Sequence, residues 1–290
     1  MTNNLHKLYR NLFELGKVRV TSFVAISGSV GYVLAKGSID FDLLLATLGI
    51  LILSIGGAAF NNIQEINTDA LMNRTKSRPL PTNRMSKKQA ILWASIFLYG
   101  GMLLLYFIFG LQTLILGFAT FVAYNLIYTP LKKHTLLAVI PGAISGVLPP
   151  IIGWSAGNGS LQDPKILALS IFFFIWQIPH TWFVMLIYDN DYRQAGFPTP
   201  SKYLTEEQLK KITYIGVATL ASSCMLIPYL GGTNSIVTNI LLLLAGFVIV
   251  WRTRSLVIKY DKSFNLKHAF LDINLYVLSV VILLMIDKFV

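Results

Sequence analysis

Apolar and polar residues follow one another along this chain in long blocks rather than singly. Leu43 to Phe60 contains no charged residue, and comparable runs give nine apolar segments, at roughly 18–36, 41–62, 89–109, 111–129, 135–156, 164–187, 211–230, 235–251 and 269–288. Each is near the ~20 residues that a helix needs to cross a bilayer. The residue-by-residue alternation of a membrane barrel is absent, which leaves helices as the spanning element. The pattern predicts an all-α polytopic bundle of about nine transmembrane helices, forming a single membrane domain over 1–290.

Composition agrees. The chain of 290 residues is 54% hydrophobic, with mean hydropathy +0.63, and only 13% of its residues are charged. An average soluble domain carries about 25%, so lipid must cover much of the apolar surface. The single cysteine, Cys224, excludes an intrachain disulfide and any Cys-x-x-Cys site. Lys7, Arg10, Lys17 and Arg19 precede the first apolar run in the manner of a secretory signal. The further spans that follow favour a retained first helix.

Charge sets the orientation. The net charge is +11, and all of the 24 Lys and Arg residues except Lys36, Lys165 and Lys288 fall on one set of loops, Lys259 and Lys262 included. The positive-inside rule then puts the N-terminus in the cytoplasm and the C-terminus outside. The basicity follows from topology and needs no nucleic-acid partner. The two longest connections, about 63–88 and 188–210, are both on the cytoplasmic side.

Where the second span leaves the membrane the chain reads NNIQEINTDALMNRTKSRPL. If the helix continues, Asn61, Glu65 and Asp69 share one stripe, because a four-residue step rotates about 400° and the face drifts only ~40°. Like charges one turn apart repel, and more strongly near lipid. A hard cation removes the repulsion, and carboxylate and amide oxygens suit magnesium, which commonly shares a phosphate ligand. Arg74, Lys76 and Arg78 follow and suit diphosphate oxygens. The plain alternative is a solvated helix end followed by a basic loop that only fixes topology.

The sixth span ends FFFIWQIPHTWFVMLIYDNDYRQAGFP, so Asp189 and Asp191 emerge on the same side as Glu65 and Asp69. Pro179 is expected to disturb the helix. His180 and Gln177 share a face, and an intramembrane histidine is a candidate functional group, with a hydrogen-bonded packing histidine as the alternative. Phe172, Phe173, Phe174, Trp176 and Trp182 are candidates to line a tunnel for a lipid-like tail, with packing or lipid contact as the alternative. The fifth span, PGAISGVLPPIIGW, is rich in small residues that permit close helix approach. Lys132 ends the fourth span, where a cation suits the helix dipole.

These stretches resemble the UbiA superfamily of intramembrane prenyltransferases. In the first, the matching positions are Asn61, Glu65, Asp69, Met72, Arg74, Thr75, Arg78, Pro79 and Leu80; Asn62 and Glu65 stand where the usual signature has aspartates. MxRTxxRPL at 72–80, WQxPH at 176–180 and DYxxAGxP at 191–198 resemble the branch that farnesylates protohaem IX. Thr199, Pro200 and Ser201 depart from it. The resemblance implies an inner-membrane enzyme that uses magnesium, farnesyl diphosphate and haem B, with a haem A synthase or oxidase-assembly protein as partner. It further implies metal ligation by Asn61, Glu65, Asp69, Asp189 and Asp191. Diphosphate and substrate contacts would come from Arg74, Lys76, Arg78, Tyr128, Lys132 and Tyr192, and His180 would join the acidic residues in catalysis. Two other readings stay open. One is a prenyltransferase for an aromatic acid or quinone precursor. The other is a transporter, which calls for ionisable residues and broken helices at the midplane.

Overall fold

The computed structural model describes residues 2–258 and 266–289. An amphipathic N-terminal helix, Thr2–Leu15, comes first. Among the described residues, nine helices are long and apolar enough to cross a membrane. They are α1 Val18–Lys36, α2 Phe41–Gln64, α3 Lys87–Phe109, α4 Leu111–Leu131, α5 Leu136–Ala156, α6 Pro164–Ile187, α7 Glu206–Tyr229, α8 Ile236–Leu256 and α9 Leu266–Asp287. The chain is a multi-pass membrane protein. Lys259 and Lys262, counted above with the basic loops, lie outside the described residues.

Most boundaries fall where the apolar pattern put them. Two helices start earlier because polar residues cap them. Ser86 with Gln89 opens α3, and Thr205 with Gln208 opens α7, each as a reciprocal capping box that satisfies otherwise orphaned N–H groups. Apolar periodicity is blind to such turns.

Small residues set the helix pairs. A side chain at Gly31 would run into the Pro150 carbonyl, and one at Gly153 into the Gly28 carbonyl, so α1 and α5 meet backbone to backbone. Gly56 against the backbone of Leu98, and Gly101 against that of Leu53, do the same for α2 and α3. Such contact is available only where no Cβ intervenes. The second half of the bundle instead interlocks large side chains, including Phe172, Phe173, Leu220, Ile249, Ile273 and Val280. Phe107, Leu243 and Phe247 are exposed on the outer surface, as a lipid-facing belt requires.

Two departures from regular helix shape the end of the bundle where the acidic stretch leaves α2. The second span does not run unbroken to Asp69. α2 stops at Gln64, Glu65 takes φ −110° and ψ 12°, and a short helix, Ile66–Leu71, resumes. Lys133 Nζ, 3.2 Å away, donates to the Gln64 carbonyl, and a side chain inserted at a helical carbonyl is a recognised cause of such breaks. The second departure is in α4, which widens into a π-helix over Val122–Tyr128. In that register the N–H at position 130 would serve the Asn125 carbonyl, but Pro130 has none. Gln64 Nε2 supplies the missing donor at 2.9 Å, stitching α2 to α4. α6 stays helical through Pro179.

Candidate active site

A cavity of about 340 Å³ opens among α1, α2, α4, α5 and α6. Its apolar walls include Val24, Leu53 and Phe121, and its polar lining includes Lys17, Arg74, Asn125 and His180. Asn61, Asn62, Glu65 and Asp69 are buried where α2 breaks, beside that lining: Asn61 bonds Lys17, and Lys132, the partner of Glu65, lies 5.1 Å from the Tyr128 ring centroid.

The acidic stripe is interleaved with cations. Glu65 Oε1 lies 2.6 Å from Lys132 Nζ, and Asp69 Oδ2 lies 2.6 Å from an Arg78 guanidinium nitrogen. Arg78 also donates to Asn62 Oδ1 at 3.0 Å, and Asn62 Nδ2 donates to the Leu15 carbonyl at 2.7 Å. Asn61 bridges two elements: its oxygen accepts from Lys17 Nζ at 2.6 Å, and its nitrogen donates to Thr129 Oγ1 at 3.0 Å. Burial pushes the Glu65 carboxyl up, but Lys132, Lys17 and Arg78 outweigh it and hold the group below its ordinary range. Burial, reinforced by Arg78, brings the Lys17 ammonium down to about 7. For Lys132 burial acts downward, yet Tyr128 and Glu65 hold it above the usual lysine value.

The second loop clasps the first. Asp191 accepts from the Arg74 backbone N–H at 3.0 Å and from Asn73 Nδ2 at 3.3 Å. The Arg74 backbone bond, despite opposing burial, holds its carboxyl below the ordinary range. The Arg74 guanidinium lies 4.6 Å from the Tyr188 ring centroid and donates to Tyr192 Oη at 3.4 Å. Asp189 faces other partners: it accepts from Ser201 Oγ and pairs with Arg193 at 3.6 Å. Thr199 and Ser201, which depart from the resembled branch, share a 2.9 Å hydroxyl contact, so the departure braces Asp189. Lys76 is exposed and bonds Asn73 Oδ1 at 2.7 Å, away from the cavity lining.

Gln177 and His180 both line the cavity, as their shared face predicts. The five candidate tunnel aromatics do not; Phe172 and Phe173 are core residues. The aromatic part of the cavity wall is built instead by Phe121 and by Tyr124 and Tyr128, whose rings stack at 5.7 Å and 19°. Lys17 and Asn125 are site residues that periodicity passes over. Lys17 counts in the sequence as one more topological cation, although its place directly before an apolar run on the acidic side is a signal. Asn125 lies toward the end of α4, three residues before the candidate Tyr128, on no candidate spacing of its own.

Among the described residues, no three Asp, Glu, His or Cys side chains are gathered as a ready metal cage, and each carboxylate of the site is met by a cation or a hydrogen-bond donor. The donor set nevertheless fits a hard divalent ion. Asp69 Oδ1 is buried without a hydrogen-bond partner, and the nearby ligand atoms are amide and carboxylate oxygens.

Comparison with known proteins agrees with this architecture. The chain is similar over 98% of both lengths to a protein named protoheme IX farnesyltransferase from Oleidesulfovibrio alaskensis, at 31% identity. A relative of the same name from Christiangramia forsetii is 34% identical, covering 96% of this chain and 93% of its own. Among solved structures, a digeranylgeranylglyceryl phosphate synthase matches with TM-score 0.77 and 18% identity, over 98% of this chain and 99% of its own. A UbiA homologue from Archaeoglobus fulgidus bound to GPP and Mg2+ matches with TM-score 0.71 and 16% identity, over 97% of this chain and 100% of its own. At that identity the likeness is one of fold. The model of the UbiA prenyltransferase family matches residues 24–274, and to that family this chain, with its acid-and-cation mouth over an apolar cavity, belongs.

Proposed function

We propose that this chain transfers a farnesyl group from farnesyl diphosphate to the vinyl group of protohaem IX (haem B), making haem O. The observation that carries the reading is the pairing of Glu65 with Lys132 and of Asp69 with Arg78 beside a largely apolar cavity, reached from its lining through Tyr128 and Lys17. That arrangement suits a molecule with an anionic head and a hydrocarbon tail. The names of the relatives and the 72–80, 176–180 and 191–198 stretches support haem as acceptor.

Arg78, Arg74 and Lys132 receive the diphosphate oxygens, the guanidinium groups by paired hydrogen bonds. Asn61, Glu65, Asp69 and Asp191 would hold magnesium, which when bound adds Lewis-acid stabilisation to the departing diphosphate. Asp189 joins them only by giving up Ser201. Tyr128 and Tyr192 flank the head group, Tyr128 beside Lys132 and Tyr192 beside Arg74. The tail lies along Val24, Leu53 and Phe121, and these apolar walls keep bulk water from the allylic carbon. The stacked Tyr124 and Tyr128 place electron-rich rings where positive charge develops. We place the mouth and N-terminus in the cytoplasm and the C-terminus outside an inner membrane. A haem this apolar suits hand-over within the bilayer to a haem A synthase or oxidase-assembly protein.

Membranes holding the protein, given farnesyl diphosphate and magnesium together with haem B and 4-hydroxybenzoate in competition, test the reading. The expected product is a haem heavier by one farnesyl group plus one water, and chelation of magnesium stops its formation. Haem B left untouched while the aromatic acid becomes prenylated would overturn the acceptor and leave only the family.

A further inference from the structure

Adding an allylic cation to a vinyl group leaves the chemistry unfinished. The new carbon–carbon bond puts positive charge on the carbon attached to the porphyrin ring. That charge has two exits. Loss of a proton from the neighbouring carbon gives an alkene. Capture of a water gives an alcohol and releases one proton. A cavity poor in water favours the first exit unless a water is held beside a base.

His180 is placed to be that base. It lines the cavity about 10 Å below the cytoplasmic end of α6 at 1.5 Å per residue. Its Nδ1 lies 3.0 Å from Asn274 Oδ1 on α9. The Asn274 amide nitrogen donates to the Phe270 carbonyl at 2.6 Å. With that donor engaged, the atom of Asn274 that meets the ring is its oxygen. Nδ1 therefore carries the proton, and Nε2 keeps a free lone pair. Trp176 and Phe270 hold the ring from two sides, with centroids at 4.9 and 5.0 Å. The described residues lining the cavity include no carboxylate, and their one lysine, Lys17, is engaged by Asn61.

We propose that His180 Nε2 takes the proton from the water that captures the side-arm cation, and that Asn274 is the positioning residue that sets the tautomer. The inference rests on haem being the acceptor. The electrons balance without an oxidant. The carbon–oxygen bond to diphosphate breaks and its pair leaves with the diphosphate. The vinyl π pair forms the carbon–carbon bond. A water lone pair forms the new carbon–oxygen bond, and the water's proton passes to Nε2.

The test reads the product rather than the rate alone. Membranes are given haem B, farnesyl diphosphate and magnesium in 18O-labelled water, and the haems are separated and weighed by mass spectrometry. Wild type should yield the labelled alcohol. His180→Phe should raise the alkene-to-alcohol ratio by roughly a hundredfold, the scale of a lost general base, through an unlabelled product lighter by one water. Asn274→Leu should shift the ratio the same way. Asn274→Asp, which keeps an oxygen facing Nδ1, should restore the alcohol. If none of these variants makes alkene in excess of wild type, or if His180→Phe abolishes haem binding in a Soret titration, His180 is not the base. If wild type itself leaves haem unchanged, the failure lies with the acceptor.

Discussion

Asp69 and Asp189 lie on the same face of the membrane, yet their surroundings differ. Asp69 is buried and keeps one oxygen without a hydrogen-bond partner, whereas Asp189 is held by Ser201 and Arg193. Asn at either position keeps shape and removes charge, so the two variants should separate. Asp69→Asn should lower turnover at limiting magnesium by on the order of 100-fold or more, the scale of a lost metal ligand. Asp189→Asn should stay within about tenfold of wild type. Equal damage from both, measured on purified protein, would remove the distinction. The 61, 65, 69 spacing is legible in the sequence because helical geometry carries it through the break at Glu65. The grip of Ser201 on Asp189 is not, because it depends on how a 3-10 turn folds back over a short helix. Lys17 is hidden for another reason: a lysine before a span does the same for topology whether or not its ammonium turns inward.

At the scale of elements, the number and order of helices can be read from apolar runs alone, since lipid imposes one length on all of them. Which helices touch is legible only in part. The small residues of the fifth span announce a close approach, and the structure supplies the partner, α1, through Gly28 and Gly31. Gly153→Leu should therefore force two backbones apart. Overpacking of a tight contact costs about 1–3 kcal/mol, and here backbone rather than a movable side chain must give way. A drop in thermal unfolding temperature in detergent should follow, larger than for the same change at Gly100, which meets only the distant end of Ile52. An equal drop at the two sites would show that the α1–α5 contact is ordinary packing. The π-helix in α4 was not legible. Its unpaired Asn125 carbonyl is met by Gln64 from another helix, and a propensity argument confined to the fourth span has no access to that donor.

For the whole molecule the basic loops predict one orientation in the membrane. A cysteine-reactive label that cannot cross membranes should modify a cysteine placed at the exposed Lys76 only from the cytoplasmic side, and one at the half-exposed Asp42 only from outside. The reverse pattern would invert the topology and move the cavity mouth with it.

The pairing of acids and cations at that mouth has a consequence for selectivity in a crowded place. A bilayer surface is covered with phosphate groups, and a bare cluster of arginine and lysine would be occupied by phospholipids. Here two of the cations that a lone phosphodiester could claim are already matched, Lys132 by Glu65 and Arg78 by Asp69, while Arg74 is held against Tyr188 and Tyr192. Taking Lys132 or Arg78 would strand a buried carboxylate, which costs several kcal/mol. A diphosphate that arrives with a divalent cation offers a partner to both signs at once and strands neither. The rare substrate is thus told from the abundant lipid by its counter-ion as much as by its phosphates. Inhibition by magnesium pyrophosphate should accordingly far exceed inhibition by anionic lipid added to the vesicles. Comparable inhibition by the two would show that the paired mouth does not discriminate between them.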